Sequence, residues 1–136
     1  MGTLSIGKLA NLTEVSIDTI RYYERQGLIA PPARRASGYR AYAPDVVGRL
    51  RFIRRAKGLS FTLGEITELL TLTAQAERDM AGMKVAARAK LGVVEDKIRE
   101  LQRIRKDLKR LEAACPGHGA LAKCPIVHAL NQEPSP

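Results

Sequence analysis

The sequence predicts a mainly α-helical protein, and three observations lead to this fold class. Hydrophobic residues make up 45% of the 136 residues but aromatic residues only 4%, with no Trp, so the core must be built from aliphatic side chains. Apolar residues recur at helical rather than strand spacing through most of the chain. Residues 81–114 contain no proline, which predicts one helix about 50 Å long.

The N-terminal segment predicts two short helices joined by a tight turn. The first begins at Ser5, and Ser16 is placed to cap a second helix over residues 17–25 with its hydroxyl. Gly27 is expected to end that helix, because glycine readily adopts the left-handed conformation of a C-terminal cap. The pair is typical of a helix-turn-helix, whose second helix enters a DNA major groove. It would offer these side chains: Asp18, Thr19, Arg21 and Tyr22 or Tyr23.

A wing is predicted after the two helices. Ser37-Gly38 marks a turn between two short extended arms. The polar and basic residues of these arms have few apolar neighbours to pack against, so we expect them to contact phosphate groups. They are Arg34, Arg35, Tyr39 and Arg40.

Two further helices are predicted to complete the N-terminal domain. Pro44 suits the first position of a third helix, which has one apolar face and one basic face. Thr62 and Glu65 have the spacing of a capping box and so begin a fourth helix. The inward-facing residues are expected to be Val46, Val47, Leu50 and Ile53 on the third helix and Leu63, Ile66, Leu69 and Leu70 on the fourth.

Positive charge is concentrated in the first half of the chain. The formal net charge is +9, and residues 1–60 contain 11 of the 23 Lys and Arg residues but only 4 of the 14 Asp and Glu residues. A basic field on one domain is the electrostatic signature of phosphate binding. The sequence therefore predicts double-stranded DNA as a partner.

The long helix over residues 81–114 carries an apolar seam that its own chain has no second long helix to cover. The seam residues are spaced 3, 4, 3, 3, 4, 3 and 4 apart, close to a heptad pattern. A homodimer is the economical source of a partner helix. The seam consists of Leu91, Val94, Ile98, Leu101, Ile104, Leu108, Leu111 and Cys115.

The only two cysteines, Cys115 and Cys124, close a short loop rich in small residues. The N-terminus has no secretory signal pattern and no apolar run approaches 18 residues, so we expect a cytoplasmic protein with no membrane span. Thiols stay reduced in that compartment, which favours metal binding over a structural disulfide. Two thiolates without an obligatory third ligand favour a soft ion such as Cu(I), Ag(I) or Au(I).

The thiol of Cys124 is expected to ionise more easily than a free cysteine. Pro125 suits the first turn of a short helix, and the free amides of Ile126 and Val127 would then point at the sulfur. A thiolate is the form that binds metal, whereas a free thiol has a pKa of about 8.5. The loop therefore combines two soft donors with a local means of ionising one of them.

Three motifs resemble the MerR family of bacterial transcription regulators, and the likeness runs nearly end to end. They are Ile6-Gly7-Lys8-Leu9-Ala10, the run from Thr19-Ile20-Arg21-Tyr22-Tyr23 to Gly27-Leu28-Ile29, and Gly38-Tyr39-Arg40-x-Tyr42. The helix start Leu59-Ser60-Phe61-x-Leu63-x-Glu65-Ile66 and the terminal cysteine loop extend the likeness. Within the family, the cysteine loop resembles the metal-responsive branch, and most closely the copper, silver and gold efflux regulators.

The resemblance implies a fold and a mechanism. The fold is a winged helix-turn-helix domain (residues 1–76), an antiparallel coiled-coil dimerisation helix (77–114) and a metal-binding loop with a short helix and tail (115–136). Each dimer would bind a palindromic promoter whose spacer is too long for RNA polymerase, and the metal-bound form would activate transcription by distorting the DNA. Positions that match the family's DNA contacts are Arg21, Tyr23, Arg34, Tyr39, Arg40 and Lys57.

One departure from the family pattern leaves the metal open. In the divalent branch a third cysteine stands at the start of the dimer helix, and here that position is Met80, which is also not the serine typical of the monovalent branch. Met80 as a thioether and His118 as an imidazole are possible additional ligands. A sensor of Hg(II), Zn(II) or Cd(II) and a thiol redox switch are the alternatives. No arrangement of catalytic residues is apparent, so we do not expect an enzyme.

Overall fold

The computed structural model describes residues 2–34, 40–75, 77 and 79–132. Its elements are α1 (Ile6–Thr13), α2 (Ile17–Arg25), β1 (Ala33–Arg34), β2 (Arg40–Ala41), α3 (Asp45–Gly58), α4 (Leu63–Thr73), α5 (Ala81–Ala114), a 3-10 turn (Leu121–Lys123) and α6 (Pro125–Leu130). The expectation of a mainly α fold is confirmed. The chain divides into two compact units, residues 1–86 and 87–136, which are described separately. The domain boundaries expected from the sequence stay predictions.

The caps of α1 and α2 follow from single residues. Ser5 accepts a hydrogen bond from the amide of Lys8, and Ser16 accepts one from the amide of Thr19, each at 3.2 Å. Gly27 has a φ of 78°. The amide of Gly27 donates to the carbonyl of Glu24 (3.1 Å), and the next amide donates to the carbonyl of Tyr23 (2.9 Å). These two bonds form a Schellman motif, which confirms the expected glycine cap.

The core of the first unit is aliphatic, with two tyrosines. Burying one such aliphatic side chain contributes roughly 1.5–3 kcal/mol, so this cluster supplies most of the unit's stability. The expected inward faces of α3 and α4 are confirmed, with Val47 and Leu63 only partly buried. The buried cluster is Leu9, Val15, Ile20, Tyr23, Leu28, Ile29, Tyr42, Val46, Leu50, Ile53, Ala56, Ile66, Leu69 and Leu70.

A two-stranded antiparallel hairpin follows α2. Ala33 pairs with Ala41 and Arg34 pairs with Arg40, which agrees with the expected extended arms. An isolated bridge between Leu4 and Tyr42, with both backbone hydrogen bonds at 2.8 Å, ties the start of the chain to the second strand. The expected Ser37-Gly38 turn, with Arg35 and Tyr39, lies outside the described residues.

The starts of α3 and α4 show how local sequence sets helix boundaries. Pro44 is the N-cap of α3, one position before the place expected for it. Thr62 accepts a bond from the amide of Glu65 (3.1 Å), and the carboxylate of Glu65 accepts one from the amide of Thr62 (2.8 Å). This is the expected capping box, and it satisfies two amides that would otherwise lack partners at a helix start.

Helix α5 has the bounds expected from the sequence, Ala81–Ala114, and no residue in it is buried. Its first residues, 81–86, belong to the first unit and pack within it. Met83 and Ala86 contact the core, and a Cβ added at Gly82 would lie 3.2 Å from Cδ2 of Leu72. Farther along, Leu101 is 64% exposed and Ile104 is 41% exposed, so the seam offers its apolar face to solvent within one chain. The helices among the described residues include none that is both long and apolar enough to cross a membrane.

Candidate metal centre and DNA-binding surface

The cysteine loop begins where α5 ends and closes where α6 begins. Cys115 directly follows the last residue of α5, and Cys124 is the N-cap residue of α6. Gly117 and Gly119 have φ values of 81° and 107°, so both residues adopt a positive-φ backbone conformation that favours glycine. The 3-10 turn then leads to Cys124, whose amide donates to the carbonyl of Leu121 at 3.0 Å. Two left-handed residues therefore turn the chain back within a few positions.

The surroundings of Cys124 favour its thiolate. The backbone amide of Val127 lowers the pKa of the Cys124 thiol most, and partial burial opposes it. The amide of Ile126 and the side chain of Cys115 lower the pKa further. The sulfur makes no formed hydrogen bond as a helix cap, so the amides act on it mainly as nearby dipoles. The expected role of the two amides is confirmed.

The two thiols are suited to a soft ion. Both cysteines are free and half-buried, one directly after α5 and the other at the start of α6. Sulfur ligands bind polarisable ions such as Cu(I) or Hg(II) in preference to hard cations. Among the described residues, no group of three or more His, Cys, Asp and Glu side chains could hold a metal ion. Cys115 and Cys124 therefore stay the predicted donors among the described residues of one chain.

The two other ligand candidates are exposed. His118 is an exposed residue between the two loop glycines, and it forms no three-donor group with the cysteines. Met80 directly precedes α5, and its side chain is 81% exposed. The coordinating roles of Met80 and His118 stay predictions, as do those of the two cysteines.

On α2, neighbouring tyrosines have different environments. Tyr22 is 41% exposed, whereas Tyr23 is 7% exposed and belongs to the core cluster. Burial raises the pKa of Tyr23, and the neighbouring Tyr22 raises it further. Arg21 is exposed on the same helix. The DNA contacts predicted for Arg21 and Tyr23 stay predictions, and the helix exposes more of Tyr22 than of Tyr23.

The basic face of α3 is attached to the helix-turn-helix by contacts that the sequence analysis did not find. Arg54 forms a salt bridge with Glu14 at 2.7 Å, and Arg51 donates to the carbonyl of Leu12 at 3.2 Å. Arg49 donates to the carbonyl of Leu28 at 2.5 Å. Arg51 and Arg54 hold the end of α1 and the turn after it against α3, and Arg49 holds the segment that follows α2. Their partners lie 21 to 40 residues away, so no local pattern reveals them.

The remaining candidate DNA contacts come from the hairpin and the end of α3. Arg34 and Arg40 pair across the two strands, so the register brings two basic positions side by side. Lys57 is exposed in the last turn of α3. Tyr39 lies outside the described residues. All the described positions of this predicted surface belong to the first unit.

Known proteins match nearly the whole chain. The family model for the MerR HTH family regulatory protein matches residues 4–73, and the model for MerR, DNA binding matches residues 47–111. The mercuric resistance operon regulatory protein of Bacillus cereus is 41% identical over 94% of this chain and 97% of its own length. The regulator CueR of Escherichia coli O6:H1 is 36% identical over 94% of both chains. PbrR691 from Ralstonia metallidurans CH34, solved with lead(II), has a TM-score of 0.83 at 31% identity, over 93% of this chain and 98% of that chain.

These matches establish the class of protein. Regulators of this kind are DNA-binding transcription factors rather than enzymes. They bind promoter DNA as dimers and contact RNA polymerase. The similar relatives include metal-responsive regulators, which bind a metal as effector. With two family models that together span residues 4–111 and a relative at 41% identity, this chain belongs to the MerR family of helix-turn-helix transcription regulators.

Proposed function

We propose that the chain is a cytoplasmic metal sensor that activates efflux or detoxification genes when a soft monovalent ion, Cu(I), Ag(I) or Au(I), binds Cys115 and Cys124. The observation that carries the proposal is a pair of free, half-buried thiols at the two ends of one short loop that joins α5 to α6. The amides at Val127 and Ile126 keep one sulfur closer to its thiolate form. Two thiolates and a monovalent ion carry a net charge of −1, which these amides and Lys123 partly offset.

In this proposal the two cysteines of the loop bind the ion, and α5 transmits the resulting conformational change to the rest of the dimer. Cys115 continues α5 and Cys124 begins α6, so a ligand shared by their sulfurs joins the ends of two helices. When bound, the ion would cross-link the two sulfurs and so reduce the conformational freedom of the loop. The glycines at 117 and 119 allow the backbone to close without strain. The closed loop favours one arrangement of the dimer, which distorts the promoter into the form that polymerase uses.

DNA binding is assigned to the first unit. We propose that Arg21 and Tyr23 of α2, the hairpin residues Arg34, Tyr39 and Arg40, and Lys57 contact the promoter. Cationic side chains at a hairpin and at a helix end suit phosphate contacts, which orient a protein on the duplex without reading its sequence. Arg40→Gln should weaken binding to all DNA sequences and reduce the salt dependence by about one ion.

A divalent ion is the second candidate, and specific relatives favour it. The Bacillus cereus relative is named as a mercuric resistance regulator, and PbrR691 was solved with lead(II). A divalent ion with two thiolates usually seeks more donors. Here it would recruit His118 or Met80, or a group from the second protomer. Two thiolates without an obligatory third ligand favour the monovalent ion. Met80 favours neither ion, because it is neither the third cysteine of the divalent branch nor the serine typical of the monovalent branch.

Competitive metal titration tests the proposal and separates the two ions. Reduced protein is titrated with Cu(I), and separately with Hg(II), Pb(II) and Zn(II), each against a strong chelator. We expect one Cu(I) per loop, a sulfur-to-metal absorption band, and loss of both in Cys115→Ser. His118→Ala and Met80→Leu are the matched controls, which should keep Cu(I) affinity within about twofold. Tight binding of a divalent ion that these controls abolish would select the second candidate, and a disulfide with no metal affinity would refute both.

The same variants should separate sensing from DNA binding. Cys115→Ser removes one sulfur at the opposite end of the chain from α2, so its affinity for promoter DNA should stay within about twofold. Metal-dependent transcription in a purified system should disappear. If Cys115→Ser still responded to metal, the assignment of the site would be wrong.

A further inference from the structure

Helix α2 has one exposed face, directly opposite the side that it buries. At about 100° per residue, the exposed side chains fall within a sector about 140° wide, and the buried residues Ile20 and Tyr23 lie on the other side of the helix. Charged residues occupy the centre of the sector, between Ile17 (37% exposed) and Tyr22 (41% exposed). This exposed α2 face consists of Ile17, Asp18, Arg21, Tyr22 and Arg25.

Three of the four carboxylates in residues 1–60 are not part of this face. One forms the salt bridge with Arg54, one accepts a hydrogen bond from the hydroxyl of Tyr42 at 3.1 Å, and one stands in the first turn of α3. They are Glu14, Glu24 and Asp45.

The fourth carboxylate, Asp18, is exposed at the second residue of α2. Among the residues that the structure describes, its carboxylate has no hydrogen bond or ion pair, although Arg21 stands three residues further on. It belongs to a stretch of chain in which Lys and Arg outnumber Asp and Glu by 11 to 4. The exposed α2 face therefore presents one available carboxylate on a basic domain.

A carboxylate on a helix that enters DNA is unfavourable unless it meets hydrogen-bond donors. The phosphate groups of the duplex repel it, whereas the floor of the major groove exposes amino groups on the edges of the bases. Asp and Glu accept a hydrogen bond from the N4 amino group of cytosine. The residues at the start of a recognition helix are those that contact base edges. Asp18 has both this chemistry and this position.

We propose that Asp18 reads a cytosine in each half of the promoter palindrome and so determines part of the sequence specificity. The inference rests on the proposed assignment of DNA binding to the first unit, and it does not depend on the metal. Arg21 and Arg25 share a sector about 60° wide with Asp18, so they offset its negative charge and bind phosphate oxygens or a guanine beside it. Ile17 and Tyr22 offer apolar surface to the methyl groups of thymine.

A carboxylate in a first helical turn also stabilises the helix through the helix dipole. Asp45 is the matched case, because it too is exposed in the first turn of its helix, α3, and it is not part of the exposed α2 face. If Asp18 acted on the dipole alone, replacing either residue with Asn would leave the preferred DNA sequence unchanged. Base preference therefore separates the two roles.

The test compares Asp18→Asn with Asp45→Asn in the full-length dimer. The probe is a pool of DNA duplexes with randomised positions, from which each protein selects its preferred site at one fixed salt concentration. We expect the unmodified protein and Asp45→Asn to select the same site, with cytosine at one position of each half. Asp18→Asn should lose this cytosine and favour adenine there, because the amide of Asn forms two hydrogen bonds with adenine. Changing that base pair in one half-site should weaken binding of the unmodified protein about 5- to 150-fold.

Binding to duplexes that lack the selected site gives a second measurement. Asp18→Asn should bind these duplexes as tightly as the unmodified protein or more tightly, because a charge that repels phosphate has been removed. The proposal would be overturned if Asp18→Asn selected the same bases as the unmodified protein, or if it bound all duplexes more weakly. Failure of the assignment of DNA binding to the first unit would appear separately, as an Arg40→Gln variant with undiminished affinity for DNA.

Discussion

Replacing each of two glycines of α5 with alanine tests how closely the start of this helix packs against Leu72 of α4. Alanine is favoured over glycine inside a helix by about 1 kcal/mol. At Gly92 no atom lies within 4 Å of the added Cβ, so the full gain should appear. At Gly82 the Cβ would lie 3.2 Å from Cδ2 and 3.6 Å from Cδ1 of Leu72. Overpacking of this kind costs roughly 1–3 kcal/mol, and a position in the first turn gains less from propensity.

The two substitutions should therefore differ in their effect on stability. We expect Gly92→Ala to stabilise by about 1 kcal/mol, which raises Tm by roughly 3–6 °C for a chain of this size. Gly82→Ala should be neutral or destabilise by up to about 2 kcal/mol. The assay is thermal unfolding by circular dichroism at equal protomer concentration, since dimer stability depends on concentration. Equal stabilisation by both substitutions would refute the close contact between α5 and Leu72.

Three further predictions follow from local contacts. Thr62→Ala should cost about 1 kcal/mol of unfolding free energy in a denaturant titration, because it removes the capping box, whereas Thr67→Ala on the same helix should change little. The lowered pKa means that Cys124 should keep reacting with iodoacetamide as the pH falls through the usual thiol range, and a midpoint equal to that of the unfolded chain would contradict this. Glu14→Gln should lower the free energy of unfolding by less than about 1 kcal/mol in a denaturant titration at low salt, because its salt bridge with Arg54 is exposed. At 1 M salt, where the charges are screened, the free energy of unfolding should not change measurably.

Local sequence rules predicted much of the fold. Ser16, Gly27 and the pair Thr62 and Glu65 act through hydrogen bonds with residues at most a few positions away, and each cap was confirmed. The bounds of α5 followed from a stretch without proline over residues 81–114, which Pro116 and Gly117 follow closely. These features depend on the nearby chain alone, which explains why they were accessible without coordinates.

Features that depend on residues distant in the sequence could not be predicted from local patterns. Tyr22 and Tyr23 are the same residue type and lie next to each other on one helix. Only the packing of the other elements decides that Tyr23 is the buried one. The contacts of Arg51 and Arg54 join α3 to the α1–α2 turn across about 40 residues of sequence. At the cysteine loop, the sequence predicts both thiols as metal ligands, but the number of donors that would converge there depends on how two protomers meet.

The absence of any buried residue along the described α5 has a consequence for how this regulator behaves in the cell. Most of α5 beyond its first turns has no packing partner within its own chain, and an isolated helix is only marginally stable in water, so we expect ordering of this part to be coupled to pairing with a second copy. Dilution should therefore lower the helical content of α5. At low protein concentration, newly made chains should exchange partners with older ones, and at higher concentration the dimers should last longer. Mixing differently labelled populations and following energy transfer between them would give the lifetime of each pairing.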